Sequence, residues 1–246
     1  MTRREAGIAQ AATEKRLSPS WFFDLSRTPH QELFESRRYV WDVLKHLENY
    51  VRDNARAEIR GQVSPGAWVV GEVYVGDGTR IEPGAVVVGP AIIGDGCEIR
   101  SHAYVRPFVI VGDDSVVGHA CEIKSSFLFP ECEVPHFAYV GDSILGYRAH
   151  LGAGVKTANV KINKEQVEVT LDGHHFPTGL EKFGAILGDY VEIGCNTVLN
   201  PGTLIGPRTL ALSNLSLRGF LPADVFIKSN TPEGIVPRRP HHRPRP

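Results

Sequence analysis

The segment EVPHFAYVGD, residues 133–142, places a histidine directly after a proline. A neutral imidazole accepts a proton near pH 7, so His136 is a candidate general base. Pro135 lacks a backbone donor and stiffens the turn that leads to it. A histidine here could equally be a corner residue without chemistry, so the surrounding elements decide which role is favoured.

A six-residue period runs through the chain before this segment. Every sixth residue from Val63 is apolar, and nearly all of these residues are β-branched: Val63, Val69, Val75, Ile81, Val87, Ile93, Ile99, Val105, Val111, Val117, Ile123 and Phe129. Such a period predicts a short strand and a tight bend, three of which close a triangular coil of about 18 residues. Stacked coils bury the apolar column and pair their backbones with the coils above and below. The sequence therefore predicts an all-β solenoid.

The period is disturbed where His136 lies. Counted from Phe129, it falls on Pro135 and then continues at Val140 and Leu145, five residues apart each time. The shortened count predicts a local defect that displays His136. The period resumes along the second half of the chain, at Leu187, Ile193, Leu199, Ile205, Ala211 and Leu217.

The flanking sequences predict three regions. Residues 1–62 form an N-terminal helical cap or extension, residues 63–228 form the β-helix with an insertion near 161–179, and residues 229–246 form a disordered Pro- and Arg-rich tail. Residues 28–52 are predicted as one helix, with Thr28 and Gln31 as a capping box. The insertion is predicted to be a protruding hairpin or loop because VEVTLDGHHF resembles a strand entering a glycine turn.

Composition excludes several classes of partner. The 246 residues are 42% hydrophobic and carry a formal net charge of -1, so no overall field attracts nucleic acid or an anionic membrane. No apolar run approaches the roughly 20 residues of a membrane helix, and the N-terminus does not resemble a secretory signal. Four scattered cysteines indicate reduced thiols rather than a disulfide framework. We therefore expect a cytoplasmic protein without membrane or nucleic-acid partners.

A metal site is the first chemical alternative. His102, His119 and His136 are each 17 residues apart. A catalytic zinc ion needs three protein ligands and a water molecule. A 17-residue interval drifts by one position for each 18-residue coil, so we expect no metal.

The centre of the chain, CEIKSSFLFPECEVPHFAYVGDSILGYRAHLGAGVKTANV followed by LEKFGAILGDYVEIGCNTVLNPGTLIG, resembles a known family. It is similar to the acetyltransferase domain of the bifunctional UDP-N-acetylglucosamine pyrophosphorylase/glucosamine-1-phosphate acetyltransferase. The resemblance implies a left-handed parallel β-helix of hexapeptide repeats, a homotrimer, and acetyl-coenzyme A or another acyl-coenzyme A as co-substrate. The nucleotidyltransferase domain of that family has no counterpart in the sequence.

The resemblance also assigns roles to individual residues. It implies that His136 is the catalytic base and that Cys195 and Ser213 lie on the coenzyme A side. The residues that it implies for acceptor binding are Arg106, Lys124, Tyr139, Asn159, Lys182 and His150. His150 stands where the family has a sugar-binding asparagine, and Val160 replaces the family's tyrosine, which implies an altered acceptor pocket.

Two functions follow from this resemblance. The first is acyl transfer, expected to be acetyl transfer, from acyl-coenzyme A to an amino-sugar phosphate or nucleotide-sugar-like acceptor. The alternative is a non-catalytic or regulatory β-helix module related to sugar-nucleotide pyrophosphorylases, which acts as a scaffold or as a ligand-binding trimer. The departures at His150 and Val160 favour the alternative.

Overall fold

A computed structural model describes residues 11–229 and 234–237 of the chain. Short strands wind into stacked coils, and each coil contributes one strand to each of three parallel sheets, here called faces A, B and C. The corners between them are named AB, BC and CA in chain order. The all-β solenoid predicted from the six-residue period is confirmed.

Faces A and B run the full length of the described solenoid. The strands of face A are Glu58–Ile59, Val73–Val75, Ala91–Ile93, Val109–Val111, Phe127–Leu128, Ile144–Leu145, Ala185–Leu187, Thr203–Ile205 and Phe220–Leu221. The parallel strands of face B are Gln62–Val63, Arg80–Ile81, Glu98–Ile99, Val116–His119, Glu133–His136, His150–Leu151, Glu192–Ile193, Leu210–Ala211 and Val225–Ile227. A last strand, Ile235–Pro237, pairs antiparallel with Val225–Ile227.

Face C is the third wall of the solenoid. Its strands are Trp68–Val70, Val86–Val88, Tyr104–Val105, Glu122–Lys124, Tyr139–Gly141, Lys156–Thr157, Val198–Leu199 and Ser216–Leu217. Because side chains alternate along a strand, one set points into the coil and the other points outward. The inward set forms the buried column of Val, Ile and Leu that the period predicted.

The coils shorten at one of the two predicted steps, from Val140 to Leu145, and at an unpredicted one, from Ile123 to Leu128. The inward column of face A runs through Val75, Ile93 and Val111 at steps of 18 residues, and then through Leu128 and Leu145 at steps of 17. Each missing residue is lost at corner CA. Leu128 and Val134 hold the inward positions that the count assigned to Phe129 and Pro135, so those two assignments are wrong.

This register changes the setting of His136. The step from Val134 to Val140 on the inward column is a regular six residues, so His136 is not displayed by a shortened turn. Phe129 points outward and stacks on Phe23 at a centroid distance of 4.8 Å. The six-residue count failed because an apolar residue fits the inside of the solenoid and the covered outer face equally well.

The N-terminal region lies along face A instead of closing the end of the solenoid. Phe34 packs edge-on against Phe127 at 5.0 Å, and Trp21 lies 5.4 Å from Phe220 in the last strand of face A. The outward residues of face A are apolar and buried, for example Ile110, Ile144 and Leu204. A face of this composition needs a cover, which explains the lateral position.

The single helix predicted over 28–52 is wrong. The structure has a short α-helix at Pro19–Phe22, 3₁₀ turns at Leu25–Arg27 and Gln31–Leu33, and an α-helix at Asp42–Asn54; residues 11–15 are also helical. Thr28 accepts a hydrogen bond from the backbone of His30, so it does not form the predicted box with Gln31. Ser36 has φ 59°, a left-handed conformation that interrupts a helix.

The insertion is an antiparallel hairpin of Val167–Leu171 and His174–Leu180. It packs on the N-terminal region and does not protrude: Phe176 meets Tyr39 at 5.6 Å, and Asp172 accepts a hydrogen bond from Arg16 at 2.9 Å. Its alternating residues Val167, Val169 and Leu171 are buried there. No helix in the described part of the chain is long and apolar enough to cross a membrane.

The predicted tail is described only in part. The chain still pairs in the strand Ile235–Pro237, which the predicted disorder of 229–246 did not anticipate. Residues 230–233 and 238–246, on which the rest of that prediction falls, lie outside the described residues.

Candidate active site on face C

The outward side of face C brings several predicted site residues together. Register places Glu122 between Tyr104 and Tyr139 on neighbouring coils, and Lys124 opposite Gly141. Arg106 lies at the end of the preceding strand and donates a hydrogen bond from Nη1 to Glu122 Oε1 at 2.8 Å. Arg106, Lys124 and Tyr139 therefore share one surface although they belong to three successive coils.

Corner CA holds the most enclosed polar group of this surface. Lys124 Nζ lies 2.8 Å from Asp142 Oδ2, and the two side chains are only 14% and 13% exposed. Asn159 Nδ2 donates to the same carboxylate oxygen. Lys182 joins this corner through an antiparallel bridge with Val160, and its side chain is exposed. Lys124 and Asn159 are thus brought together around Asp142, and the backbone of Lys182 lies next to them.

Tyr139 lies over a glycine at the centre of the surface. A Cβ added at Gly141 would come within 2.6 Å of Tyr139 Oη and 3.0 Å of Asn159 Nδ2. The absence of a side chain at position 141 allows the hydroxyl and the amide to lie side by side. Burial raises the pKa of the Tyr139 hydroxyl, and the nearby carboxylates of Asp142 and Glu122 raise it further. The hydroxyl is therefore neutral and able to donate a hydrogen bond.

His136 lies at the other edge of face C, on corner BC. Its backbone is aligned with His119, its carbonyl accepts a hydrogen bond from Gly154, and its side chain is exposed. Three residues along the chain separate His136 from Tyr139, and the left-handed Phe137 (φ 52°) turns the corner between them. Within residues 11–229 and 234–237, the imidazole has no hydrogen-bond partner. The candidate base and the Lys124 group therefore flank face C from opposite sides.

Corner BC also carries the two residues assigned to the coenzyme A side. Asn196 donates its backbone N–H to Ala153, and Asn214 donates to Cys195, so His136, Ala153, Cys195 and Ser213 follow one another along successive coils. The Cys195 thiol is exposed. Coils stack about 4.8 Å apart, so Cys195 lies roughly 10 Å from His136 along the edge.

His150 is not part of this group within one chain. It points outward from face B, where it is aligned with Glu133 and Glu192. The resemblance placed it with the acceptor-binding residues because it stands where the family has a sugar-binding asparagine. The strand that carries it faces a different side of the triangle, so a single subunit does not bring it to Lys124.

Two acidic residues of the surface were missed by the sequence analysis. Glu122 pairs with Arg106, and Asp142 pairs with Lys124. A usable signal existed for the second pair because Asp142 follows Lys124 by 18 residues, close to one coil. Opposite charges at that interval become neighbours when coils stack.

Other polar clusters of the described residues do not join this surface. His102 and His119 meet edge-to-face at 5.6 Å, but no group of three or more His, Cys, Asp or Glu side chains in the described ranges is arranged to hold a metal ion. A groove of about 570 Å³ lies at corner AB, with Trp21, Asp24, Tyr190 and Arg208 among its lining residues. It contains none of the predicted site residues.

The stacked hexapeptide coils define the class: a parallel β-helix of hexapeptide repeats. Residues 87–214 match the family described as the GMPPB C-terminal domain. This match covers just over half of the sequence, and the chain belongs to that family.

Individual relatives agree with this class. The bifunctional protein GlmU of Methanococcus vannielii is 35% identical over 187 residues, which are 76% of this chain and 45% of that protein. The uncharacterized acetyltransferase YaiX of Escherichia coli is 31% identical over 185 residues, 74% of this chain and 80% of the relative. The chain thus spans less than half the length of the GlmU relative.

One solved structure that matches the chain is the UDP-N-acetylglucosamine acyltransferase of Francisella novicida. The two share 14% identity and a TM-score of 0.47, over 74% of this chain and 67% of the other.

Proposed function

We propose that the protein transfers an acyl group, in the first place acetyl, from acyl-coenzyme A to the amine of an amino-sugar phosphate or nucleotide-sugar acceptor. The observation that carries the proposal is the convergence on face C of Arg106, Lys124, Tyr139 and Asn159, with His136 at the edge. The names of two relatives, the bifunctional protein GlmU and the acetyltransferase YaiX, support the same class of reaction.

The geometry suggests how the two substrates lie. An acceptor that spans face C places its phosphate toward Lys124, Asn159 and Lys182 at corner CA. Its amine then points toward His136 at corner BC. The donor lies along corner BC past Cys195 and Ser213, so the thioester reaches the amine beside the histidine. Holding both reactants in this arrangement supplies a large part of the rate.

The chemical step needs one general base, which we assign to His136. The acceptor nitrogen attacks the thioester carbonyl, the N–C bond forms and the C–S bond breaks. His136 takes the proton that the nitrogen loses and returns it to the departing coenzyme A thiolate. Tyr139 and Asn159 donate hydrogen bonds that orient the acceptor, and Arg106, paired with Glu122, adds a cation to the same surface.

We also propose that the working form is a homotrimer. Face A is covered by the N-terminal region, whereas face C exposes Trp68 (67% exposed), Val70 (51%) and Tyr104 (42%) below the polar surface. An apolar stripe of this kind marks an interaction surface. Packing of a second and third copy against it would enclose the acceptor site and shield the reaction from water.

A non-catalytic ligand-binding module is the second candidate, and one observation favours it. The His136 imidazole has no orienting partner in the described parts of the chain, whereas catalytic bases are usually oriented by a third group. In this role face C would bind a sugar phosphate or nucleotide sugar without turning it over.

Ligand-induced thermal shift separates the two proposals. Acetyl-coenzyme A and a panel of amino-sugar phosphates and nucleotide sugars are added one at a time and in pairs, since any bound ligand raises the melting temperature. Acyl transfer predicts shifts with both the donor and an acceptor. A shift with nucleotide sugars alone supports the binding module, and the lack of any shift at millimolar acetyl-coenzyme A contradicts acyl transfer.

A further inference from the structure

Asp142 joins three coils at corner CA. Its carboxylate oxygen Oδ2 accepts hydrogen bonds from Lys124 on the preceding coil and from Asn159 on the following one. Its backbone N–H donates to the Lys124 carbonyl at 3.1 Å, and its carbonyl accepts from Gly184 at 2.8 Å. Gly184 lies where the chain returns from the insertion hairpin.

The burial of this ion pair distinguishes it from the others on the surface. Lys124 and Asp142 are 14% and 13% exposed, whereas Arg106 and Glu122 are 41% and 37% exposed. Exposed pairs are screened by water and restrict their side chains little, but a nearly buried pair is held in one geometry. The lysine therefore has one orientation before any ligand arrives.

The turn itself does not require a carboxylate. Asp142 has φ 48°, and the equivalent corners of the two preceding coils place Phe108 (φ 64°) and Ser125 (φ 44°) in the same left-handed conformation. In each case the backbone N–H of that residue bonds to the coil before it. Because phenylalanine and serine form this corner too, the acidic side chain has a different purpose.

We propose that Asp142 is a positioning residue that orients Lys124 and Asn159 for the acceptor. This proposal rests on the acyl transfer proposed above. Asp142 fixes the ammonium of Lys124 and the amide of Asn159 at corner CA, so these side chains lose less conformational entropy when the acceptor binds. Through Gly184, the same residue connects the acceptor site to the base of the insertion hairpin.

The test compares Asp142→Asn with wild type in steady-state kinetics. Asparagine tolerates the left-handed conformation and keeps the side-chain shape, so the fold is preserved while the charge is removed. We expect the KM for the acceptor to rise on the order of tenfold with an unchanged KM for acyl-coenzyme A. Asp142→Ser, which places at this corner the residue type of Ser125 on the preceding coil, is a second variant for use if the Asp142→Asn protein does not fold.

The matched control is Asp114→Asn. Asp114 is also left-handed (φ 56°), but it lies at corner AB, away from face C. This substitution leaves both KM values at the wild-type level. An Asp142→Asn enzyme whose acceptor KM is unchanged or lower overturns the proposal, because a carboxylate that only neutralised Lys124 would weaken the binding of an anionic acceptor.

A second readout does not depend on activity. The side-chain amide of Asn159, observed by NMR, is held by a carboxylate in the wild type and should move toward the position of a free asparagine amide in Asp142→Asn. An unmoved signal contradicts positioning even if the wild type is active. If the wild type transfers no acyl group, the proposed function fails, and the amide signal still decides whether Asp142 orients Asn159.

Discussion

At the scale of single residues, face C combines opposite charges in pairs and places an uncharged tyrosine between them. Arg106 pairs with Glu122, and Lys124 pairs with Asp142. Tyr139 and Asn159 meet above Gly141 because that position has no side chain. Lys124 is held in one direction by its nearly buried pair, which suits an acceptor with a phosphate at the corner CA end.

The glycine at position 141 provides the first prediction. In Gly141→Ala, the new Cβ displaces the Tyr139 hydroxyl, so we expect the KM for the acceptor to rise about tenfold with a small change in melting temperature. Tyr139→Ala removes both the hydroxyl and the ring carbon Cζ, which the new Cβ would meet at 2.6 and 2.9 Å, and the double variant should therefore be little worse than Tyr139→Ala alone. Kinetic effects that simply add in the double variant would show that the two positions do not interact.

The cysteines provide a second prediction. Burial raises the pKa of Cys97 to about 11 and also raises the pKa values of Cys121 and Cys132, so these thiols react slowly. The exposed Cys195 should react first with a maleimide. If the donor lies along corner BC, acetyl-coenzyme A slows this labelling, and the labelled protein no longer binds acetyl-coenzyme A. Equal labelling rates with and without the donor would exclude this path.

At the scale of elements, the N-terminal region acts as a side wall of the solenoid. Phe23 and Phe34 pack against the outward residues Phe127 and Phe129, and the insertion hairpin closes over the same layer. Aromatic side chains of this size account for much of the stability of a layer. Face A is therefore unavailable to other subunits, and faces B and C remain.

Removal of one aromatic ring tests this layer. Phe34→Ala empties a buried site between Phe23 and Phe127, so we expect the free energy of unfolding to fall by about 3–5 kcal/mol. Phe137→Ala is the control because Phe137 is 58% exposed, and its loss should leave the free energy of unfolding nearly unchanged. Chemical denaturation of both variants measures the difference. Similar losses in the two would contradict a lateral layer on face A.

At the scale of the whole molecule, the sequence predicted the architecture because the inward column obeys a strict geometric rule. Val75, Ile81 and Val87 each fill the interior of a coil, and six residues return the chain to the next face. The six-residue count gave the wrong register at Phe129 because outward positions on face A are also apolar. It could not have identified the layer over face A, since the helical segments and the coils they cover are far apart in sequence.

The candidate site was predictable to a different extent. The family resemblance identified Arg106, Lys124, Tyr139 and Asn159 as site residues. Stacking of the coils brings these residues to one surface. The resemblance missed Asp142 and Glu122 because their importance comes from neighbours one coil away. His150 lies on face B, so one chain does not bring it to Lys124, and its role in acceptor binding stays a prediction.

The central claim is that His136 is the base for acyl transfer on face C. The most direct test measures acetyl-coenzyme A-dependent acylation of an amino-sugar phosphate and nucleotide-sugar panel by mass spectrometry, for wild type, His136→Ala and His119→Ala. His119 lies on the same corner one coil away and serves as the matched histidine. We predict that His136→Ala lowers kcat by about 10²–10⁴-fold and that His119→Ala changes it by no more than a few fold. An acylated product formed by His136→Ala at the wild-type rate would contradict the account.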